Sequence, residues 1–414
     1  MPTHSELTHF AGFDWASDHH DVIIVDTSGK LVADFKFDHS AAGWLLWKEK
    51  IAAYPKLGVA IETSFGAVVE QLIDSAVRVY PVNPASAKRY RERKFPSGTK
   101  TDRHDAWSLA DALRTDGHGW RVLSPKDPII EELRMLCRDE VALIEERTAL
   151  INQARQAARD YYPSVLEAFD DWTVPSTWAF VERFPDAAAL LKAGKRQWQN
   201  FMHAHRLYRP EMAEKRIAIF EAAAQWRISD YMVKAKRLYL LTKIKQLRAL
   251  QLQLEEYRRR IAALFASHPD SGTFGSLPGA GAKIAPRLLA EIGSDRALYE
   301  SAQSLQSISG TAPVSFQTGK INKVLMRRGC NMHLRHTMHL LSDLSRAQCR
   351  WAKVYYEQVK ARGKTHAQAL RCLGQRWLNI IYRMWQERTR YDGERHAKNQ
   401  LKHGSWVLQI TPGK

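Results

Sequence analysis

Two stretches of helix-forming residues, "LRMLCRDEVALIEERTALINQARQAARDYY" (133–162) and "KRLYLLTKIKQLRALQLQLEEYRRRIAALF" (236–265), run without a single glycine or proline. Patterns of this length exceed the usual helix of a compact domain and call for a long helical partner. In the second, Leu247, Leu250, Leu254, Tyr257, Ile261 and Leu264 alternate three and four apart, which is a heptad seam. Such a seam buries itself either against the first stretch or against another chain, and spacing alone leaves both open. Between them, "WTVPSTWAFVERFP" carries two prolines that interrupt a helix, so a smaller helical insertion is expected there.

Ahead of this spacer the pattern is different. "HFAGFDWA" is a short apolar run ending at Asp14, and "DVIIVDTSGKLVADFKF" reads as two β-rich runs across a Thr-Ser-Gly turn, a hairpin. "KLGVAIETS", ending at Glu62, and "VRVYPVN" are further strands, while "DRHDAWSLADALR" has helical periodicity. The expectation is an α/β domain with mixed sheet order. Behind the spacer, "SHPDSGTFGSLPGAG" clusters Gly, Pro and Ser and marks a boundary. The predicted domains are therefore 1–125 (α/β), 126–268 (helical, coiled-coil linker) and 269–414 (mainly helical).

Charge then narrows the partner. Lys and Arg number 62 against 44 Asp and Glu, a formal +18 with pI near 9.7, an excess that favours a polyanionic nucleic acid through counterion release. Cys137, Cys330, Cys349 and Cys372 form no C-x-x-C pair, which argues against a zinc site or a disulfide framework. The N-terminus lacks an apolar signal core and no run approaches the ~18 apolar residues of a membrane helix, so no membrane partner and a cytoplasmic location are expected.

Four acidic residues stand out. Asp14 and Glu62 end strands, and Asp102 and Asp105 lie three apart on one predicted helix face. Carboxylates converging in this way make an oxygen cage for Mg²⁺, able to serve phosphoryl transfer. The plain alternatives are turn and cap roles for Asp14 and Glu62, and an N-cap for Asp102 with Asp105 beside the helix dipole. Asp18, Asp26 and Asp111 read as surface residues. Beside the pair, "SAKRYRERKFPSGTK" carries Lys88, Arg89, Arg91, Arg93, Lys94 and Lys100 with interleaved Tyr90 and Phe95, a pattern suited to leading a nucleic-acid strand toward the carboxylates.

The last third holds a second constellation. "LPGAGAKIAPRLLAEIG" has the turn of a helix-hairpin-helix, with Gly279, Gly281 and Lys283 placed to meet a phosphate; a plain packing corner is the alternative. "SISGTAPVSFQTGKINKVLMRRGCNMHLRHTM" places Ser315 and Thr318 between glycine turns, followed by Lys320, Lys323, Arg327, Arg328 and Arg335. A hydroxyl in a cationic setting can attack a phosphodiester and hold it as a phosphoester. His333, His336 and His339 recur at i,i+3 and suit surface or phosphate contacts better than zinc.

Taken in order, Asp14, Glu62, "KTDRHDA", "LPGAG", "GTAPVSFQTGK" and "RRGCNMHLR" resemble the DEDD transposases of insertion-sequence family one hundred and ten, over nearly the whole chain. The resemblance implies an N-terminal RuvC-like (RNase H-type) domain, a coiled-coil linker and a C-terminal transposase domain. It implies Mg²⁺ on Asp14, Glu62, Asp102 and Asp105, and a structured noncoding bridge RNA that pairs with donor and target double-stranded DNA. It further implies dimers that pair into tetramers with composite sites. Where the family has a DNA-linked serine before the glycine of its "Q-S-G-K" motif, this chain has Thr318, whose β-methyl stiffens χ1 and crowds attack; Ser315 is the other available hydroxyl. A metal-dependent nuclease or junction resolvase without a covalent step, and a non-enzymatic nucleic-acid scaffold, are the rival readings.

Overall fold

The computed structural model describes residues 3–97, 100–123, 127–223, 228–319 and 321–402. The fold is mixed α/β and predominantly helical, and it forms two compact units, Met1–Lys126 and Asp127–Lys414.

In the first unit the strand signals form β1 (His9–Trp15), β2 (His19–Asp26) and β3 (Leu31–Asp38), then α1 (Ala41–Ile51), β4 (Leu57–Ile61), α2 (Ala67–Asp74), β5 (Arg78–Pro81), α3 (Pro84–Lys94) and α4 (Asp102–Asp116). The β2–β3 turn is set by Asp26, whose Oδ1 accepts from the Ser28 and Lys30 amides at 2.8 and 3.0 Å. The sheet order is β3-β2-β1-β4-β5. β1 pairs antiparallel with β2 and parallel with β4, so the sheet is mixed, as its sequence pattern leads one to expect. β4 is buried along its whole length, the condition of a strand between parallel neighbours covered on both faces.

Two apolar layers cover the sheet. One gathers Phe13, Phe37, Trp44 and Trp47; the other gathers Phe10, Tyr80, Leu109 and Leu113. The second layer is unusually close at one point. A Cβ on Gly12 of β1 would lie 1.8 Å from the Ala106 carbonyl oxygen and 2.6 Å from the Ala110 amide of α4. Backbone meets backbone there, and only glycine fits. Thr101, not Asp102, caps α4: its hydroxyl accepts from the His104 amide at 3.1 Å, which leaves the Asp102 carboxylate free of the capping role.

In the second unit the two long stretches become α5 (Pro128–Tyr161) and α10 (Asp230–Ser267). Between them lie α6 (Pro163–Ala168), α7 (Pro175–Arg183), α8 (Ala187–Ala204) and α9 (Pro210–Ala222), the helical insertion. α5 and α10 run antiparallel, since Lys236 pairs with Asp160 and Arg258 with Glu140. The seam residues Leu247, Leu250, Leu254 and Ile261 are buried within the unit. After α10 come α11 (Ser271–Gly275), α12 (Gly281–Ile292), α13 (Ala302–Ile308), α14 (Met332–Gln348), α15 (Arg350–Ala361), α16 (His366–Glu387) and α17 (Gly393–Lys402). This last third is not purely helical: β6 (Val314–Thr318) and β7 (Ile321–Leu325) form an antiparallel hairpin that the sequence reading missed. Among the described residues no helix is long and apolar enough to cross a membrane, and all four cysteines are free.

Because α4 rests directly on β1, Gly12→Ala is expected to cost about 3 kcal/mol by overpacking. Urea unfolding of the variant would show it as a lowered midpoint at unchanged slope.

Candidate active site

Strand register builds the site from the backbone outward. Asp14, near the C-terminal end of β1, stands directly across from Asp21 of β2. Phe13 pairs with Ile61, so Glu62, the residue after β4, emerges beside Asp14 from a parallel neighbour. α4, pressed onto β1 at Gly12, brings Asp102 and Asp105 of its first turn to the same end of the sheet. Asp14, Glu62, Asp102 and Asp105 thus line one cavity of about 410 Å³, together with Asp21 and His19.

Asp21 and His19 were not anticipated. His19 Nε2 lies 3.6 Å from Asp21 and 3.9 Å from Asp102, and its Nδ1 lies 2.9 Å from Asp18. His19, Asp21 and Asp102 offer ligand atoms all within 4.8 Å of one another, a set able to hold a divalent cation. The antiparallel register between β1 and β2 is the signal that finds Asp21.

Three of the predicted basic residues, Lys88, Arg91 and Lys100, line the same cavity. Arg91 Nη1 donates to Asp105 Oδ1 at 2.6 Å, so its first partner is a site carboxylate. Others are engaged elsewhere. Lys94 and Arg114 both pair with Asp111, at 2.9 and 2.8 Å, which places Asp111 in a buried ion cluster rather than on the surface. Arg93 approaches Asp116 at 3.6 Å and stacks over Tyr90, while Arg89 is exposed.

The carboxylates strain against one another. Burial, followed by Asp105, Asp102, Glu62 and Asp21, pushes the Asp14 carboxyl up to about 7. Burial and Asp105 raise Glu62 too, opposed by Arg91 and Lys100. Five carboxylates facing three cations leave net negative charge in a half-enclosed space, and the donors are mainly the hard oxygens that Mg²⁺ takes. The residues fit such an ion.

In the second unit, Thr318 is exposed at the tip of the β6–β7 hairpin, beside Gly319. Alternation along β6 puts Ser315 and Thr318 on opposite faces, so one face cannot present both hydroxyls. Lys323 and Arg328 are exposed, and Arg327 is half-buried. Lys320 lies outside the described residues. Gly279 (φ +81°) packs on α14, where a Cβ would lie 2.7 Å from the Ser345 amide, and its N–H donates to Gln348 Oε1 at 2.8 Å. That donor is already used, which describes a packing corner at Gly279; Gly281 and Lys283 are exposed at the start of α12.

Comparison with known proteins places these features in context. A transposase family profile of the IS110 DEDD type matches residues 11–163, and one described as transposase, IS116/IS110/IS902 family, matches residues 272–357. The IS117 mini-circle protein of Streptomyces coelicolor is 31% identical over 94% of this chain and 96% of its own length. The 43.6 kDa protein of insertion element IS110 from the same species is 30% identical over 95% and 97%. The 42 kDa protein of insertion element IS900 from Mycobacterium paratuberculosis is 25% identical over 92% and 96%.

The raised Asp14 carboxyl sets a sign. Folding retains its proton between the unfolded carboxylate range and about pH 7, so in the metal-free protein this group lowers stability as pH rises through that window. Asp14→Asn is therefore expected to melt several degrees higher than the parent at pH 8 in EDTA and equally at pH 4. Added Mg²⁺ should raise the parent's melting temperature and leave the variant's nearly unmoved; scanning fluorimetry reads both.

Proposed function

The chain belongs to the IS116/IS110/IS902 family of transposases, and on that premise we propose that it cleaves and exchanges DNA strands through a Mg²⁺-binding carboxylate site and a covalent hydroxyl–phosphate intermediate. The observation that carries the reading is the convergence of Asp14, Glu62, Asp102 and Asp105 on one cavity with Lys88, Arg91 and Lys100 around it. The strand order supports a RuvC-like (RNase H-type) catalytic domain at 1–125, ahead of a helical linker at 126–268 and a transposase domain at 269–414.

Asp14, Glu62, Asp102 and Asp105 would hold Mg²⁺, with Asp21 and His19 adjoining on the Asp102 side. When bound there, such an ion would supply polarisation of the scissile phosphate and charge stabilisation on its oxygens. Lys88 and Lys100 attract the backbone, and Arg91 holds Asp105 in place. Thr318 Oγ attacks phosphorus; the Oγ–P bond forms, a P–O bond of the DNA strand breaks, and the leaving oxygen departs as a hydroxyl end. Attack by a hydroxyl end on the phosphothreonine ester then joins the strands and restores Thr318. Exposure at a hairpin tip supports Thr318 over Ser315, which faces the other way.

Guidance comes from a structured noncoding RNA that base-pairs with donor and target, leaving the protein to read backbone and shape. The family likeness supports this reading, while the formal +18 charge suits any nucleic-acid partner and does not choose between them. The assembly is a dimer pairing into a tetramer, in the cytoplasm. With the heptad seam buried against α5, contacts other than that seam join the subunits.

Asp102→Ala should abolish strand exchange while leaving RNA binding in gel-shift assays within about twofold; full exchange by this variant would remove the metal role. Thr318→Ala should eliminate a denaturant-resistant protein–DNA adduct, and Thr318→Ser should keep or raise it. An adduct in the alanine variant would move the nucleophile to Ser315, and free DNA ends with no adduct in the parent would favour the nuclease reading.

A further inference from the structure

The histidine-rich start of α14 has no part in the chemistry above, yet it walls a pocket of about 220 Å³ against α16. Arg335, His336 and His339 of α14 and Arg371 of α16 stand over buried Met338 and Leu370. Among the described residues no carboxylate lines this pocket, and neither Arg335 nor Arg371 has an ion-pair partner. The contrast within the unit is sharp: Arg138, Arg258 and Arg287 are each held by a buried glutamate.

We propose that this pocket is a binding site for a backbone phosphate of the duplex DNA substrate. Two cationic forks beside imidazole donors match the non-bridging oxygens of a phosphodiester, and the apolar floor suits the adjoining sugar. Arg335 is preset for the task. Its Nη2 donates to the Arg327 carbonyl, and its guanidinium packs so closely on Gly310 that a Cβ there would lie 2.5 Å from Nη2.

The surroundings reinforce the assignment. His339 sits 6.2 Å, ring to ring, from His366, whose Nδ1 meets the Tyr356 hydroxyl at 2.8 Å. Burial first, then His366, His336 and Arg371, hold the His339 imidazole below its ordinary value, against Asp343 on the next turn. Asp343 is itself bonded to Arg346, which stacks over Tyr356 on α15. An anion in the pocket would relieve this crowding of positive groups. A metal is the poorer occupant, because among the described residues no three His, Cys, Asp or Glu ligand atoms come together here.

The pocket lies at the root of the β6–β7 hairpin, between Thr311 before it and Met332 after it. With β6 five residues long, a phosphate held here would sit on the order of 17 Å from the hairpin tip, several nucleotides along the duplex. The inference needs DNA as substrate and nothing of the metal or nucleophile reading.

The test is duplex-DNA binding by the full chain in EDTA, followed by fluorescence anisotropy across a salt series. Arg371→Ala should weaken binding about fivefold to tenfold and reduce the slope of log K against log salt by about one. Arg371→Lys should restore the slope, which a merely structural role would not do. In the parent, the His339 titration midpoint, followed by NMR, should rise when duplex is added. An unchanged slope in Arg371→Ala, or a His339 midpoint unmoved at saturating DNA, would overturn the assignment. A slope change seen with structured RNA and absent with DNA would overturn it as well, giving the pocket to the RNA.

Discussion

The direct contact between the β1 backbone at Gly12 and the first turns of α4 is the constraint on which the carboxylate-bearing first unit depends. Asp14 lies two residues beyond Gly12, and Asp105 immediately precedes the helix residue that touches it. A side chain at position 12 would lift the helix, and with it Asp102 and Asp105, away from the strand ends. The fold therefore secures a repulsive cluster of carboxylates by means of apolar layers on both faces of the sheet, with Trp47 and Tyr80 buried completely. Local instability at the cluster is the ordinary cost of gathering like charges in one cavity.

The second unit solves a different problem, that of fixing a helix pair to a domain built from shorter helices. Glu140 of α5 is buried and bonded to Arg258 of α10 and Arg287 of α12. One helix turn along α12, Glu291 accepts from Arg138 of α5 and from Asn331, the residue that caps α14. These charges have given up water and are repaid only by their mutual geometry, so removing one partner would cost more stability than the pair itself adds. Through Asn331 the same network reaches the segment that follows β7 and anchors one leg of the hairpin.

How much of this could be read from residue order alone differs by element. The β2–β3 hairpin, the strands leading to Asp14 and Glu62, and the two long helices all carry local signals: alternation, a Ser-Gly turn, a three-and-four spacing. The quartet of acids was legible because strand ends and a helix turn advertise their positions. Asp21 was not, because its place across from Asp14 follows from how β1 and β2 pair, and its neighbours read only as the polar start of a strand. Asp111 passed for a surface residue because its partners Lys94 and Arg114 are named by packing, not by spacing. β6 and β7 escaped because β6 is exposed along its whole length, so no buried face imposed an inside–outside rhythm on its residues.

That exposed ribbon has a thermodynamic consequence. Among the described residues the two strands have no third neighbour and β6 buries no side chain, and such a ribbon is marginal on its own in water. Unbound, the segment bearing the proposed attacking hydroxyl gains little from staying ordered, and on the proposed reading contact with a nucleic-acid backbone would supply what is missing. On the proposed reading, order at Thr318 would follow substrate association, so that its hydroxyl is presented where a strand is bound.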